Sequence, residues 1–120
     1  KILSVACGPA FELQDILKSP KDFEKYHFTL LDQDRAALYE AATVINQVEK
    51  VSKAELKVNY LTESVRTMLT TRELNKKWGQ FDFIYSLGLF DYLTPPVAKA
   101  VLKKLYQIVK PGGEIIIGNF

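Results

Sequence analysis

The sequence predicts an α/β domain, a doubly wound parallel sheet of five strands in the order 3-2-1-4-5. Three observations lead there. Short apolar runs alternate with longer stretches of helical periodicity, the signature of βαβ units. The runs are closed by turn and cap residues, Gly8-Pro9, Asp34 and Pro111-Gly112-Gly113. Crossovers between parallel strands are right-handed, which leaves few ways to wind five of them.

The first strand is Ile2 to Ala6, and a short helix from Phe11 to Lys18 follows, with Leu13, Ile16 and Leu17 on one side. The second strand is Phe28 to Leu31, ending at Asp32. A helix from Arg35 to Glu49 carries Leu38, Ala41, Ala42, Ile45 and Val48 at helical spacing, with Asp34 as its N-cap. The third strand, Leu56 to Leu61, alternates Leu56, Val58 and Tyr60 with polar residues. A helix over Val65 to Lys77 leads to the fourth strand, Phe81 to Ser86. Thr94 then caps a helix with Pro95 at its first position and Val97, Val101, Leu102, Leu105, Ile108 and Val109 as its apolar stripe. Pro111-Gly112-Gly113 stops it and turns the chain into the last strand, Glu114 to Asn119.

Composition narrows the function. At 120 residues, 48% hydrophobic and 25% charged, the chain reads as one ordinary globular domain. A net charge of +2, with basic residues scattered among acids, argues against a nucleic-acid partner. Lys76-Lys77 beside Trp78 reads as a solvated helix end. A single cysteine, no apolar stretch long enough for a membrane span and no signal-peptide pattern make a cytoplasmic protein the expectation. No metal-ligand pattern is present.

In a sheet of this order ligands bind beyond the carboxyl ends of the strands, at the switch point between strands one and four. After strand one, Ala6-Cys7-Gly8-Pro9-Ala10 is a loop of small residues that lets a ligand approach the backbone, or else a tight strand-to-helix turn. It lacks two glycines of the G-x-G-x-x-G dinucleotide fingerprint. Asp32, at the tip of strand two, is placed to hold a ribose diol by charge-assisted hydrogen bonds, since Asp34 is better sited to cap the helix. His27, at the amino-terminal end of strand two, and Cys7, a small filler of the loop, are read as structural.

Lys1 to Ala10 resembles the first motif of class I S-adenosylmethionine-dependent methyltransferases, hydrophobic-acid-hydrophobic-Gly-x-Gly-x-Gly, and Asp32 falls on that family's ribose-binding acid. Phe81-Asp82-Phe83-Ile84-Tyr85-Ser86 resembles its fourth-strand motif, and Leu105 to Ile117 its following helix, turn and strand. The resemblance implies a Rossmann-like methyltransferase fold with S-adenosyl-L-methionine as cofactor and a small-molecule acceptor. It places the cofactor on Ala6, Cys7, Gly8, Pro9, Ala10 and Asp32, with adenine between Gln33 and the segment Thr62, Glu63, Ser64. Leu87 to Tyr92 should border the methyl group, with Asp91 and Tyr92 as candidate catalytic contacts. Family members add two more strands, so residues 1–120 are expected to be a piece of a longer chain, lacking the last strands. A narrower similarity joins Cys7 to Glu12, Phe28 to Asp34 and Tyr85 to Leu93 with bacterial methyltransferases that esterify 3-hydroxy fatty acids into signal molecules.

Three positions depart from the pattern. Ser4 stands where the first motif has an acid that often helps place the methionine part, and Ala6 and Ala10 replace two glycines, each a change of one methyl. Glu12 is a candidate to supply the missing carboxylate. An acceptor with an acidic oxygen, a carboxylate above all, is already ionised at neutral pH and needs no base, which suits a sequence showing none. The expectation is methyl transfer to a carboxylate or hydroxyl oxygen of a fatty-acid-like substrate. The alternative is a non-catalytic cofactor-binding or interaction domain on the same fold. A nucleotide-dependent oxidoreductase fits less well, given the incomplete glycine pattern and the Pro-Gly-Gly turn.

Overall fold

The computed structural model describes residues 1–118. Strand β1 (Ile2–Val5) ends one residue earlier than its apolar run because Ala6 leaves the extended region, at φ 57°. The expected single helix after it is two pieces, α1 (Leu13–Ile16) and α2 (Pro20–Lys25). The second piece has a start signal that the apolar pattern did not reveal. Pro20 occupies its first turn, and the Asp22 carboxylate accepts the backbone N–H of Ser19 at 3.1 Å in a capping box.

Strand β2 (His27–Asp32) feeds α3 (Arg35–Ser52), where the Asp34 side chain accepts the Ala36 N–H at 2.9 Å, as the cap reading required. Strand β3 (Lys57–Thr62) follows, one residue later than expected, with Leu56 buried just before it. The helix expected over Val65 to Lys77 is broken into α4 (Val65–Thr70) and α5 (Leu74–Trp78). Thr70 and Thr71 sit at the break and turn their hydroxyls back onto the carbonyls of Arg66 and Thr67, at 2.8 and 2.6 Å. Such local bonds compete with helix continuation.

Strand β4 (Phe81–Leu87), a single 3₁₀ turn (Phe90–Tyr92), α6 (Pro95–Ile108) and β5 (Val109–Gly118) complete the described chain. Pairing of β5 with β4 begins at Val109, so Pro111-Gly112-Gly113 lies inside the paired segment, where the register shifts between Phe81 and Phe83. A Cβ at Gly113 would stand 2.7 Å from the Asp82 carbonyl, so only glycine allows that approach. The expected end of the last strand, Asn119, lies outside the described residues.

All neighbouring strands are parallel and the order is β3-β2-β1-β4-β5, the predicted one. The helices divide between the faces. On one, Leu13, Phe23, Leu38, Ala41 and Ile45 of α1 to α3 pack on Phe28, Leu30 and Tyr85. On the other, Met68, Leu74, Val101, Leu105 and Ile108 of α4 to α6 pack on Leu3, Val5, Leu31 and Ile84. Burying each of the Leu, Ile, Val, Met and Phe side chains contributes about 1.5–3 kcal/mol, which fixes which face each helix takes. Ser4 is buried at the centre of β1, in register with Leu30 of β2 and Tyr85 of β4.

A candidate ligand site at the carboxyl ends of the strands

Beyond Val5 the chain reverses through Ala6 to Ala10. Ala6, Gly8 and Ala10 have φ of 57°, 56° and 56°. A residue with a Cβ is strained there by about 1–2 kcal/mol. The alanines at 6 and 10 are therefore more than an added methyl, because each holds its backbone in the left-handed region. The strain is held by three bonds. The Cys7 N–H donates to the Leu31 carbonyl at 2.9 Å, the Ala10 N–H to the Cys7 carbonyl at 3.2 Å, and the Gly8 N–H to Asp32 Oδ2 at 2.9 Å.

Asp34 caps α3, while Asp32 turns toward the loop and also accepts the Asp34 N–H on Oδ1 at 2.9 Å. A carboxylate offers about four lone-pair sites, so two bonds to the backbone leave capacity for a ligand.

Beside it lies a cleft of about 90 Å³ lined by Val5, Ala6, Asp32, Gln33, Glu63, Ser64 and Leu89, among others. Five of the expected site residues thus meet in one place: Ala6, Asp32, Gln33, Glu63 and Ser64. The cleft is smaller than the roughly 300–1,000 Å³ of a whole small-molecule site, so it suits one part of a ligand that continues over the loop. A larger groove, about 440 Å³, is lined by Lys1, Ile2, Tyr26, Phe28, Asp82 and Phe83, among others, and so reaches toward the amino ends of the strands. The smaller cleft is the candidate because it lies at the carboxyl ends of β1, β2 and β3, with Leu89 from beyond β4, and gathers polar groups.

The remaining expected residues fall elsewhere. Thr62 lines a different surface hollow with Arg35, Tyr39 and Tyr60. Ala10 is buried in the core, and Cys7 packs partly against the same core. Pro9 is half-buried in the loop. Leu87, the last residue of β4, and Asp91 and Tyr92 beyond it are exposed, and Leu89 is the residue of that segment that reaches the cleft. Ser64 caps α4, its hydroxyl accepting the Thr67 N–H at 3.3 Å, and Glu63 pairs with Lys77 at 3.6 Å.

Sequence reasoning named Glu12 but not its partner. The Tyr85 hydroxyl, from β4, donates to Glu12 Oε1 at 2.8 Å across 73 residues of chain. Burial raises the Tyr85 phenol above its usual range, with the Glu12 carboxylate adding to the shift and the Ser4 hydroxyl opposing it. The signal was a tyrosine in an apolar strand, but its partner was visible only once β4 lay beside β1. Cys7 is pushed up to about 12, by burial first and then by the carboxylates of Asp32 and Glu12, which flank it. It is a thiol, not a nucleophile, at neutral pH. His27 Nε2 lies 3.3 Å from the Asn59 amide at the far end of β2, and burial lowers its pKa.

No sequence among curated proteins matches the chain significantly. Solved structures do match its fold. The chain is similar to DhpI in a complex with SAM and HEP (15% identity, TM-score 0.65), over 95% of this chain and 44% of that one. It is similar to a SAM-dependent methyltransferase from Methanosarcina mazei (19%, TM-score 0.66), over 96% and 50%. The likeness extends to a short-chain dehydrogenase from Oenococcus oeni (14%, TM-score 0.56), over 98% and 60%. The chain thus spans about half the length of the first two. At such identities the likeness shows the fold alone, and the dehydrogenase makes plain that the fold does not choose the chemistry. The family match does choose: the model of the methyltransferase domain covers residues 2–113. With nearly the whole chain matched, it belongs to the methyltransferase-domain family, whose methyl donor is S-adenosylmethionine.

Proposed function

We propose that this domain binds S-adenosylmethionine across the Ala6 to Ala10 loop, with the ribose on Asp32, and serves methyl transfer to an oxygen of a fatty-acid-like acceptor. The observation that carries the reading is Asp32, which turns to the loop and keeps lone pairs beyond its bonds to the Gly8 and Asp34 N–H groups, while Asp34 caps α3. Gln33, Glu63 and Ser64 line the cleft beside it, a place for the base. Thr62 and Ala10 are withdrawn from direct contact on this reading, since one faces another hollow and the other the core.

The cofactor supplies an electrophilic methyl on a sulfonium leaving group. The residues of the chain then have to orient and exclude water, and orientation alone is worth several orders of magnitude. A carboxylate acceptor suits the surroundings, because His27 lies at the wrong end of β2 and Cys7 holds its proton. Phe11, Leu87 and Tyr92, exposed by 58%, 44% and 88%, offer apolar surface near the carboxyl ends for an aliphatic chain. Thermal-shift measurement on the full chain with S-adenosylhomocysteine and with NAD tests the first half: stabilisation by NAD alone would sink it. Transfer of labelled methyl to 3-hydroxy fatty acids tests the second. Binding without transfer to any acid or alcohol would favour the reading of a non-catalytic domain.

A further inference from the structure

We infer that two copies of this chain pair through the open edge of β3, antiparallel about Tyr60, with α3 packed against α3 of the second copy. β3 is the outermost strand beside β2, and nothing among the described residues pairs with its other edge. The backbone decides which groups that edge offers. The Glu63 N–H donates to the Asp32 carbonyl of β2 at 3.2 Å. Backbone direction alternates along a strand, so the groups of Lys57, Asn59 and Leu61 also face β2, while those of Val58, Tyr60 and Thr62 face outward. The strand keeps unbroken register with β2 and contains no proline, so two common devices that blunt an edge, bulge and proline, are missing from it.

The edge is complementary to itself. A two-fold axis at Tyr60 sets Tyr60 against Tyr60, Val58 against Thr62 and Lys57 against Glu63 of the second copy, so both ends of the junction join opposite charges. Helix α3 repeats the pattern. Arg35 and Glu49 are equally spaced about Ala42, which lines a hollow of about 350 Å³ with Tyr39, Tyr60 and Thr62, among others. An antiparallel second helix therefore brings each Arg35 toward the other copy's Glu49. The spacing agrees: α3 lies against both β2 and β3, so two such helices would stand two strand spacings apart, about 10 Å, the distance at which helices pack. Tyr39, 78% exposed, puts an aromatic ring beside the axis, a residue type that often dominates interface energy. A surface that balances opposite charges about one point fits a second copy. Glu63 also lines the cleft beside Asp32, so the junction reaches the wall of the candidate site.

Charge reversal tests both the surface and the register. Sedimentation velocity on the full chain should show a dimer. Lys57→Glu or Glu63→Lys alone should weaken it by about 10- to 30-fold, because each puts like charges at both ends of the junction. An equimolar mixture of the two variants should recover the dimer, since every junction then joins Glu to Lys. Association through the β5 edge would not respond in this way. Hydrogen exchange on the unaltered chain gives a second reading that no substitution can disturb: the amides of Val58, Tyr60 and Thr62 should gain protection as concentration rises. A chain that stays monomeric at about 100 μM overturns the inference. So does a dimer indifferent to both reversals, folded variants that fail to recover on mixing, or exchange at these amides that ignores concentration.

Discussion

The Gly8 N–H donates to the Asp32 carboxylate at 2.9 Å, joining residues 24 apart in the chain. One side chain thus ties the loop after β1 to the tip of β2, and its other oxygen steadies the turn into α3 through the Asp34 N–H. The group placed to hold a ribose also shapes the loop over which the ligand would lie.

Asp32→Ala should therefore act twice. Loss of charge-assisted bonds to a ribose lowers cofactor affinity by about 30- to 100-fold. Loss of the acceptor for two backbone donors lowers stability by about 1–3 kcal/mol. Asp34→Ala should cost about 1 kcal/mol of stability, as a lost cap, and leave affinity unchanged. Denaturant melts and titration calorimetry on both variants check this; unchanged affinity in Asp32→Ala would remove the ribose anchor.

Ala6→Gly should stabilise the chain by up to about 1 kcal/mol, because relief of the left-handed strain exceeds the entropy glycine adds to the unfolded state. The melting temperature should rise by about 2–6 °C. Ala6 is the position to test, since Ala10 is buried in the core and its methyl also packs there. A clear fall in melting temperature for Ala6→Gly would show that the Ala6 methyl contributes more than the strain costs.

Alkaline pH should destabilise the fold. The Cys7 thiol titrates at 9.0 in a free chain and at about 12 in the folded one. Above pH 9 the unfolded state sheds a proton that the folded state keeps, so this contribution is full below pH 9 and is lost as pH rises toward 12. The Tyr85 phenol, raised mainly by burial, adds a loss of the same sign at higher pH. Denaturant midpoints across this range should decline, and Cys7→Ser should delay the onset. At about pH 8 iodoacetamide should modify Cys7 more than tenfold slower than free cysteine; modification at the free rate would contradict its placement.

Strand β5 pairs with β4 on one side, and among the described residues nothing pairs with its other edge. Ile116 is 48% exposed on it. An open apolar edge is a template for association. The 120 residues expressed alone should self-associate in sedimentation experiments, and Ile116→Lys should reduce the effect. A monodisperse monomer at about 100 μM would show the edge to be inert.

The sequence by itself determined the class of fold, the strand order and Asp34 as the cap of α3. Alternation of apolar runs and punctuation by Gly, Pro and Asp are local signals, and right-handed crossovers turn them into one topology. The family was legible for the same reason, since its motifs are short stretches read in order. Element breaks were less legible. The Thr70-Thr71 interruption and the separate start of α2 come from hydroxyl and carboxylate bonds that compete with an uninterrupted helix.

Only the tertiary structure decided where side chains point and whom they meet. Thr62 and Ser64 are two residues apart, yet one faces a hollow against α3 while the other lines the cleft. Sequence proximity to a strand tip could not separate them, because the turn beyond β3 sets each direction. The left-handed backbone at Ala6 and Ala10 was hidden likewise, since an alanine does not announce the conformation that long-range bonds impose on it. Glu12 and Tyr85 lie 73 residues apart, and their bond exists because β1 and β4 are neighbours in the sheet. Local patterning carries the fold because it recurs in every element; the pairing of two particular side chains occurs once, and only packing brings it about.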